Sequence, residues 1–209
     1  MTEDMPARPV EPTGVPHAKG VELALNAHAQ GRVKVAVGRS FNYFGPHAGR
    51  SYAGDLIFNN ALTAEPALVI GNVDKRHTYT YVDDFANELI TLAEREEALG
   101  EIWHVPSAET ISTRQFIEMV YTEAGQETKI RAGTRIPLTF MSLFDSKMKF
   151  ALRVLYQFDR PFIVDHSKYK KAFGANPTPH LEGVQHTLGW YREGKETAQS
   201  RLVPKWPAR

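Results

Sequence analysis

The order of the first two predicted elements constrains the fold most, because a helix comes directly before a strand and no strand precedes that helix. Apolar residues at a spacing of four predict a helix over residues 17–30, which Gly31 ends. Alternating valines at positions 33, 35 and 37 predict a strand over residues 32–37. A helix that leads straight into a strand is the second half of a β-α-β unit. We therefore expect a parallel sheet whose preceding strand is missing from this chain.

The rest of the chain alternates between strand-like and helix-like segments. Predicted strands cover residues 67–70, 77–82, 101–105, 129–131 and 161–164. Predicted helices cover residues 52–62, 138–158, 167–173 and 178–191, with one more that Asp83 or Asp84 caps and one that Ser112 or Thr113 opens. Such alternation predicts an α/β fold.

Composition excludes several classes of function. The 25 basic and 24 acidic residues give a formal net charge of +1, and no run of lysines occurs, so we expect neither nucleic acid nor a membrane as a partner. The absence of cysteine excludes disulfides, thiolate catalysis and cysteine-based zinc sites. The eight histidines are scattered, so we expect no metal. The acidic start at residues 1–4 is unlike a signal peptide, which makes a cytoplasmic protein the expectation.

Two further catalytic motifs are incomplete or missing. Residues 38–42 resemble the turn that carries a nucleophilic serine, but Asn42 stands where that turn needs glycine. No Gly-x-Gly-x-x-Gly loop and no other phosphate-binding loop occurs in the sequence.

Three segments, residues 39–46, 79–86 and 103–106, carry a resemblance to a known family. Their order and spacing, followed by Thr113-Arg114-Gln115-Phe116 on a helix, are similar to the later part of the NAD-dependent epimerase/dehydratase family, the extended short-chain dehydrogenases/reductases. The resemblance extends from about residue 6 to residue 190. It implies NAD or NADP as cofactor and a nucleotide sugar or small carbonyl or hydroxyl compound as substrate. It also implies that the first third of a family member is absent.

The resemblance refines the expected architecture to the C-terminal part of a Rossmann-like parallel sheet plus a small α/β substrate-binding lobe. On this basis the chain divides into four parts. They are an extended proline-rich segment at 1–16, a remnant of the Rossmann-like core at 17–105, a mostly helical substrate-binding lobe at 106–195, and a tail at 196–209.

The resemblance places the family's catalytic Tyr-x-x-x-Lys pair at the start of the first helix, where this chain departs from the pattern. If Lys19 is the catalytic lysine, Val15 occupies the tyrosine position. If Glu22 is aligned instead with the family's glutamate, the pair becomes Gly14 and Ala18. Neither alignment supplies the phenol whose proton a neighbouring ammonium group makes easier to remove.

The remaining candidate residues belong to the ligand side of the site. The resemblance implies that Asn42, Arg76 and His77 bind substrate and that Arg39 and Ser40 lie near the cofactor. Asn42 could equally cap the turn before Gly45-Pro46, and Arg76 or His77 could be solvated turn residues. Ser40 or Tyr43 could stand in for the missing tyrosine.

Three functional readings follow. The first is a truncated or split NAD(P)-dependent epimerase, dehydratase or reductase that is inactive alone. The second is a non-catalytic small-molecule-binding or regulatory module of the same fold, and the third is a gene fragment without a role of its own. Because the valine strand would lack a neighbour on one side, we also expect self-association or a partner that covers this edge.

Overall fold

The computed structural model describes residues 1–9, 11–12 and 14–194, and the predicted tail at 196–209 lies outside them. Short strands lie among the helices up to residue 133, and the described residues after that contain only helices as regular elements. The helices are α1 (Gly14–Ala29), α2 (Asp55–Leu62), α3 (Val82–Glu94), α4 (Thr113–Ala124), α5 (Arg135–Met141), α6 (Ser146–Val154), α7 (Ser167–Phe173) and α8 (His180–Arg192). The strands are β1 (Val37–Arg39), β2 (Ala67–Ile70), β3 (Arg76–His77), β4 (Ile102–His104), β5 (Ile111–Ser112) and β6 (Ile130–Gly133).

The strands pair in three sets of two. β1 runs parallel to β4, with Arg39 opposite His104, and β2 runs parallel to β6, with Ile70 opposite Gly133. β3 and β5 form a short antiparallel pair. Parallel pairs connected through helices confirm the predicted α/β fold.

The first strand is shorter than the valine pattern predicts: residues 33–36 are not part of it. The backbone of Val35 is used elsewhere: its N–H donates to Nδ1 of His28 at 3.3 Å, and its carbonyl accepts from the Gly100 N–H at 2.7 Å. Only Val37 to Arg39 continues the ladder beside β4. Within the described residues the other edge of β1 is unpaired, and self-association at this edge stays a prediction.

The predicted strand at 77–82 and the predicted caps at Asp83 and Asp84 are wrong. Beyond His77 the chain extends between two loops, because the Thr78 N–H donates to the carbonyl of Phe162 and the Thr80 N–H to that of Phe41. Tyr81 occupies the N-cap position of α3, and its side chain forms no capping hydrogen bond. The carboxylate of Asp84 instead accepts from the N–H and the hydroxyl of Thr178, at 2.9 and 2.7 Å, and so holds the segment before α8.

Other predicted elements keep their type but change their ends. The first helix begins at Gly14, three residues before the expected start, since a proline such as Pro16 is tolerated in a first turn. The second begins at Asp55 instead of residue 52. The helical region predicted at 138–158 is divided into α5, which begins earlier, at Arg135, then α6 and a 3₁₀ turn. The expected start of α4 is confirmed: Ser112 and Gln115 form a capping box.

An aromatic core joins α2, α4 and α8 to the loop after β1. Phe44, which is fully buried, lies at its centre. Its ring packs edge-on against Phe116 at 5.0 Å between centroids and parallel to Phe58 at 6.5 Å. This core fixes the loop after β1, which forms one wall of the site described below. None of the helices in the described part of the chain is long and apolar enough to cross a bilayer.

A second cluster between α3 and α7, formed by Leu92, Ala98, Trp103 and Tyr169, has a carboxyl group at its margin. Burial, and to a lesser extent the nearby Asp84 charge, raises the pKa of Glu88 from 4.5 to about 8. Its Oε2 atom is buried and has no hydrogen-bond partner among the residues described. The folded protein therefore binds this proton more tightly than the unfolded chain does.

The free energy of unfolding should accordingly fall as the pH rises from the unfolded pKa near 4.5 to the folded pKa of about 8. Replacing Glu88 by glutamine removes this charge. Allowing for solvent screening of a half-buried group, we expect the variant to gain about 1 kcal/mol, or roughly 2–4 °C in Tm, at about pH 9 and almost nothing at about pH 4. Thermal unfolding across this pH range measures the effect. Glu94→Gln, an exposed residue of the same helix, is the control, and an equal gain in both variants would contradict the assignment.

Candidate functional site

A cavity of about 610 Å³ opens between the first turn of α1, the loop after β1, the residues before α2, and α6 with the turn that follows it. Its size lies within the range of small-molecule sites. The polar residues along its wall are Glu11, His17, Asn42, Tyr43, Arg50, Ser51, Tyr52, Tyr156 and Gln157. The cavity thus combines one permanent cation, amide, hydroxyl and imidazole groups, and the Glu11 carboxylate, which forms an ion pair with Arg153.

Asn42 is held in place by a neighbouring strand. Its backbone is left-handed, with a φ of 41°, a conformation that asparagine tolerates better than most residues. Its Nδ2 atom donates to the carbonyl of Thr78 and lies the same distance, 3.2 Å, from Nδ1 of His77. The side chain therefore does not cap the turn before Gly45; it ties the loop after β1 to the segment around β3.

His77 supports Asn42 from within the protein. It lies in β3 and not in a solvated turn, and it is 1% exposed, because the rings of Phe158 and Phe162 both stack on its ring. Burial lowers the pKa of His77, against a smaller opposing effect of a hydrogen bond with the Arg160 backbone. The neutral ring can accept the Asn42 proton at Nδ1. In this structure His77 acts on the cavity through Asn42.

An aromatic pair forms a second wall of the cavity. The rings of Tyr52 and Phe158 stack with 3.9 Å between centroids and 15° between planes. The Tyr52 hydroxyl donates to the carbonyl of Ile70 at 2.9 Å. This bond fixes the ring across the end of β2. The pair gives the cavity a flat apolar surface beside its polar residues.

Arg50 and Ser51 are the cavity residues with open hydrogen-bonding capacity. Within the described residues Arg50, which is exposed, forms no ion pair and no hydrogen bond. Ser51 Oγ is buried and likewise has no partner among those residues. A guanidinium group suits phosphate or carboxylate oxygens, and a hydroxyl group can donate to or accept from a ligand. Arg50 can therefore bind a polar ligand without losing a bond inside the protein, whereas the Ser51 hydroxyl lies beneath the surface of the wall.

Tyr43, a candidate to stand in for the missing tyrosine, lines the cavity, whereas the predicted catalytic, substrate and cofactor residues other than Asn42 lie outside its wall. Lys19 is exposed on α1. Arg39 and Ser40 lie at and just beyond the end of β1, where the carbonyl of Arg39 accepts from the Val105 N–H. Arg76 is exposed and donates to the carbonyl of Thr110 at 2.7 Å. Of the six predicted catalytic, substrate and cofactor residues, Asn42 alone lines the cavity.

The buried phenols are poorly suited to proton abstraction. Burial raises the pKa of Tyr52 and of Tyr79, and it also raises the pKa of Tyr81, whose hydroxyl donates to Asp83. Removing a proton from these groups is harder than from a phenol in water, which is opposite to what a phenolate base requires. None of the three takes over the role of the missing catalytic tyrosine.

Sequence reasoning missed His17, Arg50 and Ser51. Arg50 and Ser51 lie in a loop between Gly49 and Gly54, and polar residues in such loops often bind ligands. For His17 no local signal existed, because α1 reaches the cavity only through the tertiary fold.

The sequence profile of the family described as GDP-mannose 4,6 dehydratase matches residues 1–187. No curated protein matches the chain. The dTDP-glucose 4,6-dehydratase of Bacillus anthracis, solved in complex with NAD, is 20% identical with a TM-score of 0.71, and the alignment covers 94% of this chain and 56% of that one. Epimerase Mth375 of Methanothermobacter thermautotrophicus is 17% identical with a TM-score of 0.75, over 94% and 55% of the two chains.

A third similar structure, the UDP-glucuronic acid 4-epimerase of Bacillus cereus in complex with NAD, is 17% identical with a TM-score of 0.68. The alignment covers 97% of this chain and 57% of that one. Likeness at this level of identity shows a shared fold. The chain spans little more than half the length of each of these three structures.

Proposed function

Since the chain belongs to the GDP-mannose 4,6 dehydratase family, we propose that it binds a nucleotide sugar, or a related small carbonyl or hydroxyl compound, in the cavity between α1 and α6. The family match also confirms the resemblance to NAD-dependent epimerases and dehydratases. One observation carries the proposal: the cavity wall places Arg50, which has no acidic partner among the described residues, on the same surface as the Asn42 amide.

Each part of such a ligand has a matching group in the wall. The diphosphate is the anionic part, and Arg50 can form paired hydrogen bonds with its oxygens. Sugar hydroxyls suit the amide oxygen of Asn42. The apolar face of a sugar or base can pack on Phe158 and Tyr52, which already stack on each other.

A complete dinucleotide site does not fit the residues of this chain. The 209 residues contain no glycine-rich loop of the Gly-x-Gly-x-x-Gly type, which brings backbone N–H groups close to a pyrophosphate. Arg39 and Ser40 remain our candidates for a contact with NAD or NADP. We do not propose that the residues of this chain carry out hydride transfer. With valine at position 15, Lys19 has no phenol beside it in sequence register. We therefore favour ligand binding over catalysis by these residues alone.

Isothermal titration calorimetry of the full chain with GDP-mannose tests the proposal. We expect Arg50→Gln to weaken binding by about 10- to 100-fold, because a charge-assisted bond to phosphate is lost. Arg131→Gln, an exposed arginine on β6, is the matched control and should bind as the unchanged protein does. Absence of binding to GDP-mannose, or equal losses in both variants, would refute the cavity assignment. A rise in Tm on addition of NADH would instead support the enzyme reading.

A further inference from the structure

Residues 135–154, which we call the helical hairpin, expose an unusual amount of apolar surface. The hairpin consists of α5, a four-residue turn and α6, and its two helices pack against each other. Four of the five most exposed large apolar side chains of the described residues belong to it. They are Phe144 at 91%, Ile136 and Leu143 at 73%, and Phe140 at 67% exposure. Exposed apolar patches of this kind mark sites of interaction.

The exposed face belongs to a folded, anchored element. Leu138, on the opposite side of α5, is 4% exposed, and Leu155, directly after α6, is fully buried. Arg153 on α6 forms an ion pair with Glu11 at 3.0 Å. The hairpin is therefore attached to the body of the protein along one side while its apolar residues remain in solvent on the other.

The charge of the hairpin is strongly biased. Its four basic residues and one acidic residue give a formal net charge of +3, whereas the whole chain carries +1, the balance from which no membrane partner was expected. Two of the four, Arg135 and Arg153, form ion pairs with Asp159 and Glu11 outside the hairpin, so a net charge of +1 remains when these partners are included. The basic residues are Arg135, Lys147, Lys149 and Arg153, and the acidic residue is Asp145. Basic side chains next to exposed phenylalanine and leucine are typical of helices that lie in the interface of a bilayer.

We propose that the helical hairpin binds the surface of an anionic lipid bilayer. The exposed side chains of Phe140, Leu143 and Phe144 enter the boundary between headgroups and acyl chains, and Lys149 contacts the lipid phosphates. Long basic side chains can keep their charge at this level while their methylene groups lie among apolar ones. The contact lies along the membrane, which agrees with the finding that no described helix could span it.

Charge favours a bilayer over a second copy of the chain. In a symmetric dimer the same patch is present on both subunits, so the positive hairpin would face another positive hairpin. Like charges brought together in this way repel each other. An anionic bilayer offers a complementary charge to the basic residues and an apolar phase to the exposed ones.

Co-sedimentation of the full chain with vesicles tests the proposal. One set contains equal parts of phosphatidylserine and phosphatidylcholine, and the other contains phosphatidylcholine alone. We expect binding to the anionic set only, a decrease in binding with added salt, and at least a tenfold weakening in the double variant Leu143→Ser, Phe144→Ser. Leu23→Ser, which alters a 68% exposed leucine on α1, is the control and should bind normally.

Each other outcome overturns the proposal. Absence of binding to anionic vesicles, or an equal loss in the control variant, removes the assignment to the hairpin. Equal binding to both lipid sets would contradict the claim that the hairpin recognises anionic lipid. A dimer in analytical ultracentrifugation that dissociates in the double variant, without vesicle binding, would assign the face to a second copy. Calorimetry with GDP-mannose is independent of these results, since none of the three replaced leucine and phenylalanine residues lines the cavity.

Discussion

Replacing Phe44 by alanine should lower the free energy of unfolding by about 3–5 kcal/mol. The ring is fully buried and contacts aromatic rings from α2 and α4, so its removal leaves a hole that these helices cannot close without losing their own contacts. For a chain of this length the loss corresponds to a decrease in Tm of roughly 6–20 °C. Urea and thermal unfolding measure it.

The control for this change is Phe140→Ala. Phe140 is 67% exposed, so the same chemical truncation removes little buried surface and should change the unfolding free energy by less than about 0.5 kcal/mol. If the two variants lost similar stability, the aromatic core would not have the central role described for it.

Replacing Gly71 by alanine should destabilise the protein by about 2–5 kcal/mol. The residue has a φ of +87°, a backbone conformation that costs other residues about 1–2 kcal/mol. An added Cβ would also collide with the side chain and the carbonyl group of Phe158, and overpacking of this kind typically costs about 1–3 kcal/mol more. Because Phe158 forms part of the cavity wall, affinity for GDP-mannose should decrease together with Tm.

Gly189→Ala provides a control with the opposite sign. Gly189 lies within α8, and a Cβ there would meet no atom within 4 Å. Alanine favours a helix over glycine by about 0.5–1 kcal/mol, so this variant should be slightly more stable than the unchanged protein. A loss of stability at position 189, or no loss at position 71, would contradict the described environments.

Local patterns predicted those elements whose hydrogen bonds are themselves local. The capping box of Ser112 and Gln115 spans three residues, so the start of α4 was visible in the sequence. The alternating valines indicated β1, but not that Val35 would bond to Gly100, sixty-five residues further along. Asp84 was expected to cap its own helix and instead binds Thr178, a partner that no local pattern could indicate.

The site was predictable only where a family motif covered it. Asn42 falls within such a motif and lines the cavity. Arg50 and His17 come from different parts of the chain, and only the tertiary fold brings them to one wall. The exposed face of the hairpin could not be predicted from the sequence for a similar reason. An apolar helical pattern normally predicts burial, and only the packing of α5 on α6 shows which side chains remain in water.

The way Asn42 is anchored determines which chemical groups it can recognise. Thr78 offers a carbonyl, which can only accept, so the amide must turn its NH₂ group toward the protein and cannot flip without losing these bonds. The oxygen, which has no donor among the described residues, is then the group left for a ligand. The cavity wall thus presents a fixed acceptor at this point. It favours a ligand that carries a hydroxyl there and discriminates against the corresponding ketone, so the oxidation state of one carbon would decide affinity.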